Sequence, residues 1–353
     1  MKIAMLTPYY NKVTRGNERF AQRMEEHFDI DVFFVPEKRK FKLTYKFQEL
    51  LSKGMIDSAF TKFIGIEPKP VEFYFHNYWL EHIDEFRDYD IIWSQSCFWS
   101  VLLGKKISKR LGKPFVVTWQ GNFSATLVLT ALLNPDLLVV LTPEFKDRLP
   151  KFLQKNVKCI PSGIELDKFR KGKRYKTKIH SPIFLSTSSL TKSKNVDMII
   201  EALSLCSGGS LIITSDGPDR DRILDLAQKK IPGRYKYLGV VDIDTLISLY
   251  NVADVYVQAS QSEGLSAALL EAMATNTPVV APEDNNRKWT IGNGGETVKY
   301  RTPYNFIKTM MHANMLDWDN RPREQAEKFD WKDTIKKYKD EFKCLVKKTA
   351  DTK

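Results

Sequence analysis

The feature that most constrains this chain is a rhythm that runs through it twice. Short, continuously apolar runs alternate with longer segments of helical periodicity. In the first half, residues 2–7, 31–35, 90–93, 114–119 and 137–141 read as strands, with helices over 16–28 and about 98–111 among them. In the second half, strands over 183–186, 210–214, 235–239, 255–258 and 278–281 alternate with helices over 196–203, 220–230, 243–250 and 265–273. Strands without polar alternation are buried on both faces, and the intervening helices supply the covers. The pattern predicts an α/β architecture of two doubly wound parallel-sheet domains, for which 353 residues suffice. Two such domains in one chain are expected to face a central cleft, with ligands at the C-terminal ends of the strands.

The boundaries follow from where the rhythm fails. Residues 167–178 are polar and basic with no apolar periodicity, which reads as a linker. The expected organisation is an N-terminal domain over 1–165, a linker over 166–180, and a second domain over 181–325. Residues 37–72 break the alternation and read as a helical insertion. No repeat of 20–50 residues is evident.

Composition excludes several classes. A hydrophobic content of 42% with 28% charged residues rules out wholesale disorder. Cys97, Cys159, Cys206 and Cys344 form no Cys-x-x-Cys pair, which argues against a structural zinc or a disulfide scaffold and suits a reducing compartment. The first residues carry too short an apolar run for a signal peptide. The most apolar region, 124–141, is broken by Asn134, Pro135 and Asp136, so no spanning helix is expected.

The net charge of +12 is concentrated at one end. Residues 1–180 hold 31 Lys and Arg against 20 Asp and Glu, while residues 181–353 hold 24 against 23. Two segments stand out. Lys38, Arg39, Lys40 and Lys42 interleave with Phe41, Leu43, Tyr45 and Phe47, and Lys105 and Lys106 share a helix with Lys109 and Arg110. Cations mixed with aromatics suit an acidic acceptor or peripheral contact with an anionic membrane, at about 1 kcal/mol per cation near the surface. A solvated basic face is the plainer alternative. No nucleic-acid reader motif accompanies the charge, so no nucleic acid partner is expected.

The informative stretch for chemistry is 259–281. Ser260, Ser262 and Gly264 form a small-residue loop after a strand, and the helix that follows is apolar at Ala267, Leu270, Met273 and Ala274. Its N-terminus offers free N–H groups and a positive dipole end to an anion such as a diphosphate. Glu263 stands at the helix entrance and Glu271 two turns in. A carboxylate before the helix can accept hydrogen bonds from sugar hydroxyls, and one on the helix can grip a ribose diol, neither with a metal. Taken singly, each is also an ordinary helix acid.

Together these residues form a pattern. Glu263-Gly-Leu-Ser266, Glu271-Ala-Met-Ala274 and Thr277-Pro-Val-Val280 resemble the signature of the retaining GT-B glycosyltransferases of family four. Ser215-Asp-Gly-Pro218 is similar to that family's Gly-Asp-Gly-Pro turn. The segments around Tyr237-Leu-Gly239, Leu249-Tyr-Asn-Val-Ala-Asp254 and Ile160-Pro-Ser-Gly163 resemble others in the same order. Phe329-Asp-Trp331 resembles the start of the family's last helix, which implies that residues 326–353 return to the first domain. Over 1–158 only residues 90–94 and 116–121 carry the likeness.

The resemblance implies a GT-B fold and transfer of a sugar from a UDP- or GDP-linked donor to a glycan or lipid-linked acceptor. It implies retention of configuration and neither metal nor cofactor. By the same resemblance, Lys194 neutralises the leaving diphosphate and Glu263 binds the donor sugar. Glu271 binds the ribose, with Ser189, Gly264, Leu265 and Ser266 around the donor. Gly16 and Gln120 approach it from the first domain. Three departures bear on this. Ser188-Ser189-Leu190 stands where the family has Gly-Arg-Leu, so a phosphate-binding arginine is missing unless Lys192 or Arg287 substitutes. Gln120-Gly121 replaces His-Gly, and Arg15-Gly16 replaces Gly-Gly. A non-catalytic sugar-nucleotide or glycan binder of the same fold is the alternative. The expected location is cytoplasmic, peripheral on the inner membrane face. Asp219-x-Asp221, Asp242-x-Asp244 and Asp317-x-Asp319 spell a metal-binding triplet of a different fold and read as surface acids. His76, His82 and His312 read as structural or exposed.

Overall fold

The computed structural model describes residues 1–8, 10, 16–35, 70–95 and 97–351. It divides into two compact units, residues 1–161 with 335–353, and residues 162–334. Lys38, Arg39, Lys40 and Lys42 lie outside the described residues.

The first unit holds a six-stranded parallel sheet of β1 (Lys2–Leu6), β2 (Asp29–Phe33), β3 (Ile91–Gln95), β4 (Phe115–Trp119), β5 (Leu137–Val140) and β6 (Val157–Cys159). The strand order is β2-β1-β3-β4-β5-β6. β3, β4 and β5 are buried at every position, whereas β2 and β6 are buried at one position each. The difference follows position: the edge strands carry Asp29, Asp31 and Lys158, charges that deter further pairing. The helix Phe98–Leu111 ends where the sequence reading placed it. Gly112, at φ +63°, closes it with an N–H to Ser108 O, and Lys109 and Arg110 face the negative dipole end.

The second unit repeats the design with β7 (Ile183–Ser186), β8 (Ser210–Ile213), β9 (Tyr235–Tyr237), β10 (Val255–Val257), β11 (Val279–Pro282) and β12 (Gly295–Val298). Their order is β12-β11-β10-β7-β8-β9, all parallel. Asp242, Asp284 and Thr302 cap three of its helices by accepting the N–H groups of Thr245, Arg287 and Asn305.

Two boundaries differ from the sequence reading. The first unit ends at Pro161 rather than 165, and residues 166–180 belong to the second unit instead of forming a separate linker. Phe169 is buried, Tyr175 N–H donates to Ser248 O at 3.0 Å, and Gly172 N–H donates to Asn251 Oδ1 at 2.7 Å. The polar composition reflects an outer face whose backbone is nonetheless bonded to the helix Ile243–Val252. Arg323 fastens the same region, with Nη1 donating to Leu166 O (3.2 Å), Phe169 O (2.7 Å) and Ala274 O (2.6 Å).

The last helix, Trp331–Asp351, belongs to the first unit from Ile335 onward. There Tyr338 packs 5.2 Å from the ring of Trp93 and shares a hydrogen bond with Thr118 at 3.0 Å, while Phe342 stacks edgewise on Trp93 at 5.0 Å. No helix among the described residues is long and apolar enough to cross a membrane.

Candidate active site

In the second sheet the chain order reverses between β7 and β10, which lie side by side although about 70 residues apart. Ligands of open α/β sheets bind outside the strand ends at such a point. The loops that leave β7 and β10 there carry the residues singled out from sequence.

The β7 loop is held from below. Leu190 N–H donates to Asp216 O at 3.1 Å, and Asp219 N–H donates to Leu190 O at 3.0 Å. Gly217 backs directly onto this loop: a Cβ there would stand 2.2 Å from Leu190 O, so only glycine fits. Ser215, where the resembling family has glycine, sits at φ +80°. Its N–H donates to Gly239 O at 2.6 Å and its carbonyl accepts from Tyr237 Oη at 3.0 Å.

A short turn, Lys192–Lys194, follows, and Gln261 N–H donates to Ser193 O at 2.9 Å, tying this loop to the one after β10. Across that junction Lys194 Nζ lies 2.6 Å from Glu263 Oε1, with 30% and 15% of the side chains exposed. The pair is therefore accessible from solvent yet partly shielded, which strengthens its attraction. Asn286 Nδ2 donates to Glu263 O at 3.2 Å and steadies the carboxylate's backbone.

Arg287 does not replace the missing arginine. It is 1% exposed, and its guanidinium donates to Ser260 O at 2.9 Å and Pro282 O at 3.2 Å, with Nε 3.4 Å from Asp284 Oδ2. Burial lowers its pKa from the usual arginine value. Its role is to brace the loop from inside. Lys192 is exposed on the turn beside Lys194.

The helix carrying Glu271 runs Ala267–Ala274, two residues later than the sequence reading placed its start. Gly264 and Leu265 therefore precede the cap residue, Ser266. The Ser266 hydroxyl accepts from Gln258 Nε2 at 2.9 Å and makes no capping bond, so the first-turn N–H groups have no side-chain acceptor from Ser266. Glu271 is buried, and its Oε2 accepts from Tyr250 Oη at 2.8 Å. Thr187 Oγ1 lies 3.3 Å from both Tyr250 Oη and Tyr256 Oη. Burial pushes both phenol pKa values far up, so both stay protonated.

Lys194, Glu263, Glu271, Ser189, Gly264, Leu265 and Ser266 thus share the second unit's switch point. Gly16, at the start of the helix Gly16–Glu25, and Gln120, after β4, belong to the first unit. Lys105 and Lys106 are engaged within that unit: Lys105 Nζ donates to Asn134 O at 3.1 Å, and Lys106 Nζ lies 3.4 Å from His76 Nε2. Burial pushes the thiols of Cys97 and Cys159 up, the latter to about 11, so neither is an activated nucleophile. The Asp-x-Asp triplets have local partners: Asp221 pairs with Arg220 at 2.8 Å, Asp242 caps its helix, and Asp317 accepts from Asp319 N–H at 3.1 Å. Among the described residues no group of three or more His, Cys, Asp or Glu side chains clusters as metal ligands do.

Sequence reasoning gave Thr187, Tyr250 and Tyr256 no role. Tyr250 lay inside a segment of family likeness, but its hydroxyl partner is 21 residues away, beyond any local periodicity.

Residues 167–301, which contain Lys194, Glu263 and Glu271, match the family model for glycosyl transferases group 1. Over this stretch, which lies within the second unit, the chain is similar to that family. An uncharacterized glycosyltransferase of Methanocaldococcus jannaschii is 25% identical over 392 residues, covering 98% of this chain and 99% of the relative. The alpha-monoglucosyldiacylglycerol synthase of Streptococcus pneumoniae is 26% identical over 226 residues, covering 54% of this chain and 51% of the synthase. The Anabaena protein HepE, solved in complex with UDP, superposes with a TM-score of 0.73 at 16% identity, covering 98% of this chain and 100% of that one. The architecture of the chain is GT-B, with two Rossmann-like domains.

Proposed function

We propose that this protein is a glycosyltransferase that moves a sugar from a nucleotide-sugar to a glycan or lipid-linked acceptor, with retention of configuration and without a metal. The observation that carries this reading is the 2.6 Å contact of Lys194 with Glu263 at the switch point, beside the helix that bears Glu271. In the proposed reaction the donor replaces that contact. Lys194 turns to the diphosphate, Glu263 accepts from sugar hydroxyls, and Glu271 holds the ribose. The bond from the anomeric carbon to the phosphate oxygen breaks, and charge builds on the leaving diphosphate. Lys194 and the helix N–H groups stabilise that charge in place of a metal or the missing arginine. The acceptor hydroxyl attacks from the same face and passes its proton to a leaving phosphate oxygen, so no glycosidase-like carboxylate pair is required.

HepE is solved with UDP, which supports a nucleotide-linked donor. The Streptococcus relative is named for glycolipid synthesis, and the first 180 residues hold 31 Lys and Arg against 20 Asp and Glu. Both support a lipid-linked acceptor met by a cytoplasmic enzyme peripheral on the inner membrane face. NMR of the product tests the chemistry. UDP- and GDP-sugars are offered with diacylglycerol, glycolipid and oligosaccharide acceptors, with and without EDTA. A product of unchanged anomeric configuration, formed equally in EDTA, supports the reading. Inversion or loss of activity in EDTA contradicts its mechanism, and nucleotide-sugar binding without turnover on any acceptor contradicts the reaction.

A further inference from the structure

Glu271 sits at the end of a hydrogen-bonded chain that no sequence pattern announced. In the 2.8 Å contact between Tyr250 Oη and Glu271 Oε2 the phenol donates and the carboxyl oxygen accepts. With its own proton committed, Tyr250 Oη can only accept from the Thr187 hydroxyl, 3.3 Å away. Thr187 Oγ1 in turn accepts from Tyr256 Oη, also at 3.3 Å. The direction of every O–H in the chain thereby follows from the bond of Tyr250 to Glu271, and chains so aligned reinforce each other.

The chain is also rigid. Tyr250 and Tyr256 are fully buried, their rings 5.6 Å apart in an edge-to-face contact, and Phe169 closes the far side of Tyr250 at 6.4 Å. Its members come from three places: the β7 loop one residue before Ser188, the end of the helix Ile243–Val252, and β10. The Glu271 carboxylate is thus anchored to the loop that carries Ser189, not only to its own helix.

We infer that Tyr250 is a positioning residue for ribose recognition: with Thr187 and Tyr256 it fixes the Glu271 carboxylate so that it can clasp the ribose diol of the bound nucleotide. This rests on the ribose role proposed for Glu271. Without the phenol, Glu271 loses one of the bonds that order its carboxyl group, and part of that ordering falls to the binding of the ribose.

The test measures affinity of the full chain for UDP and GDP and for their 2′,3′-dideoxy counterparts by calorimetry. The dideoxy nucleotides keep the diphosphate and base contacts and lack only the diol. The wild type should prefer the better ribonucleotide by about 10-fold or more, the worth of one or two lost hydrogen bonds to a charged group. Tyr250→Phe should cut that preference by about 3-fold or more, through weaker ribonucleotide binding alone. Thr187→Val should change it in the same direction by less. Equal loss for both nucleotides in Tyr250→Phe, or an unchanged preference, overturns the inference while leaving the Glu271 role intact. If the wild type shows no preference, the Glu271 role fails and the inference with it. Should Tyr250→Phe not fold, Thr187→Val alone decides, with an unchanged preference overturning the inference.

Discussion

Lys194 Nζ and Glu263 Oε1 meet at 2.6 Å although 69 residues separate them, because parallel strands β7 and β10 are neighbours where the sheet order reverses. The ion pair is partly exposed, so its loss costs less stability than the loss of one partner of a fully buried pair. Lys194→Met is expected to cost about 1 kcal/mol, a fall in melting temperature of about 2–4 °C. A nucleoside diphosphate should raise the melting temperature of the wild type more than that of the variant. Differential scanning fluorimetry with and without UDP or GDP checks both.

Gly217 and Ser215 give opposite predictions from one turn. Gly217→Ala places a methyl 2.2 Å from Leu190 O and must push the β7 loop outward. It is expected to destabilise by about 1–3 kcal/mol and to weaken nucleotide binding several-fold. Ser215→Gly relieves a side chain held at φ +80° and should stabilise by about 0.5–1 kcal/mol, net of the added freedom of the unfolded chain. Urea denaturation of both variants, with nucleotide titration of the first, decides.

Arg323 collects carbonyls from Leu166, Phe169 and Ala274. Its removal leaves acceptors from two segments without a charged donor. Arg323→Met is expected to cost about 2–3 kcal/mol, and Arg323→Lys to recover only part, since one ammonium cannot span the fork. The urea midpoint of the second unit's transition measures this.

His76 makes the first unit sensitive to acid. Burial, with a smaller contribution from Lys106, lowers its pKa from the ordinary value. The unfolded chain therefore binds this proton more readily than the folded one. Stability should rise with pH through this range and fall as pH drops below the ordinary histidine value near 6.5, with a slope of at most about 1.4 kcal/mol per pH unit. His76→Gln should flatten the dependence between pH 7 and 5 in denaturation curves.

Much of this was legible in the sequence where one physical signal dominated. The helices Phe98–Leu111 and Arg220–Lys230 stand at the residues their periodicity marked. The buried strands of both sheets were found from apolar runs. The helix Ala125–Leu132 was not, because it is apolar around most of its circumference and shows no polar stripe to reveal the period. The helix Pro303–Met315 has a capping start in Thr302 and Pro303, but exposed apolar residues beside its buried ones blur the stripe that would mark its period. The edge strands β6 and β12 are short and mix polar with apolar residues, so their pairing comes from the sheet. At the site, Glu263 and Glu271 were visible through a motif. Arg287 could be assigned its bracing role only from its burial, and Tyr250 only from its contact with Glu271.

The most direct measurement is release of nucleoside diphosphate from UDP- and GDP-sugars by the wild type and by Lys194→Ala, with an acceptor the wild type uses. If Lys194 stabilises charge on the leaving group, the variant should lose about 100-fold or more in kcat while staying folded. An unchanged kcat in a folded Lys194→Ala variant would contradict the account.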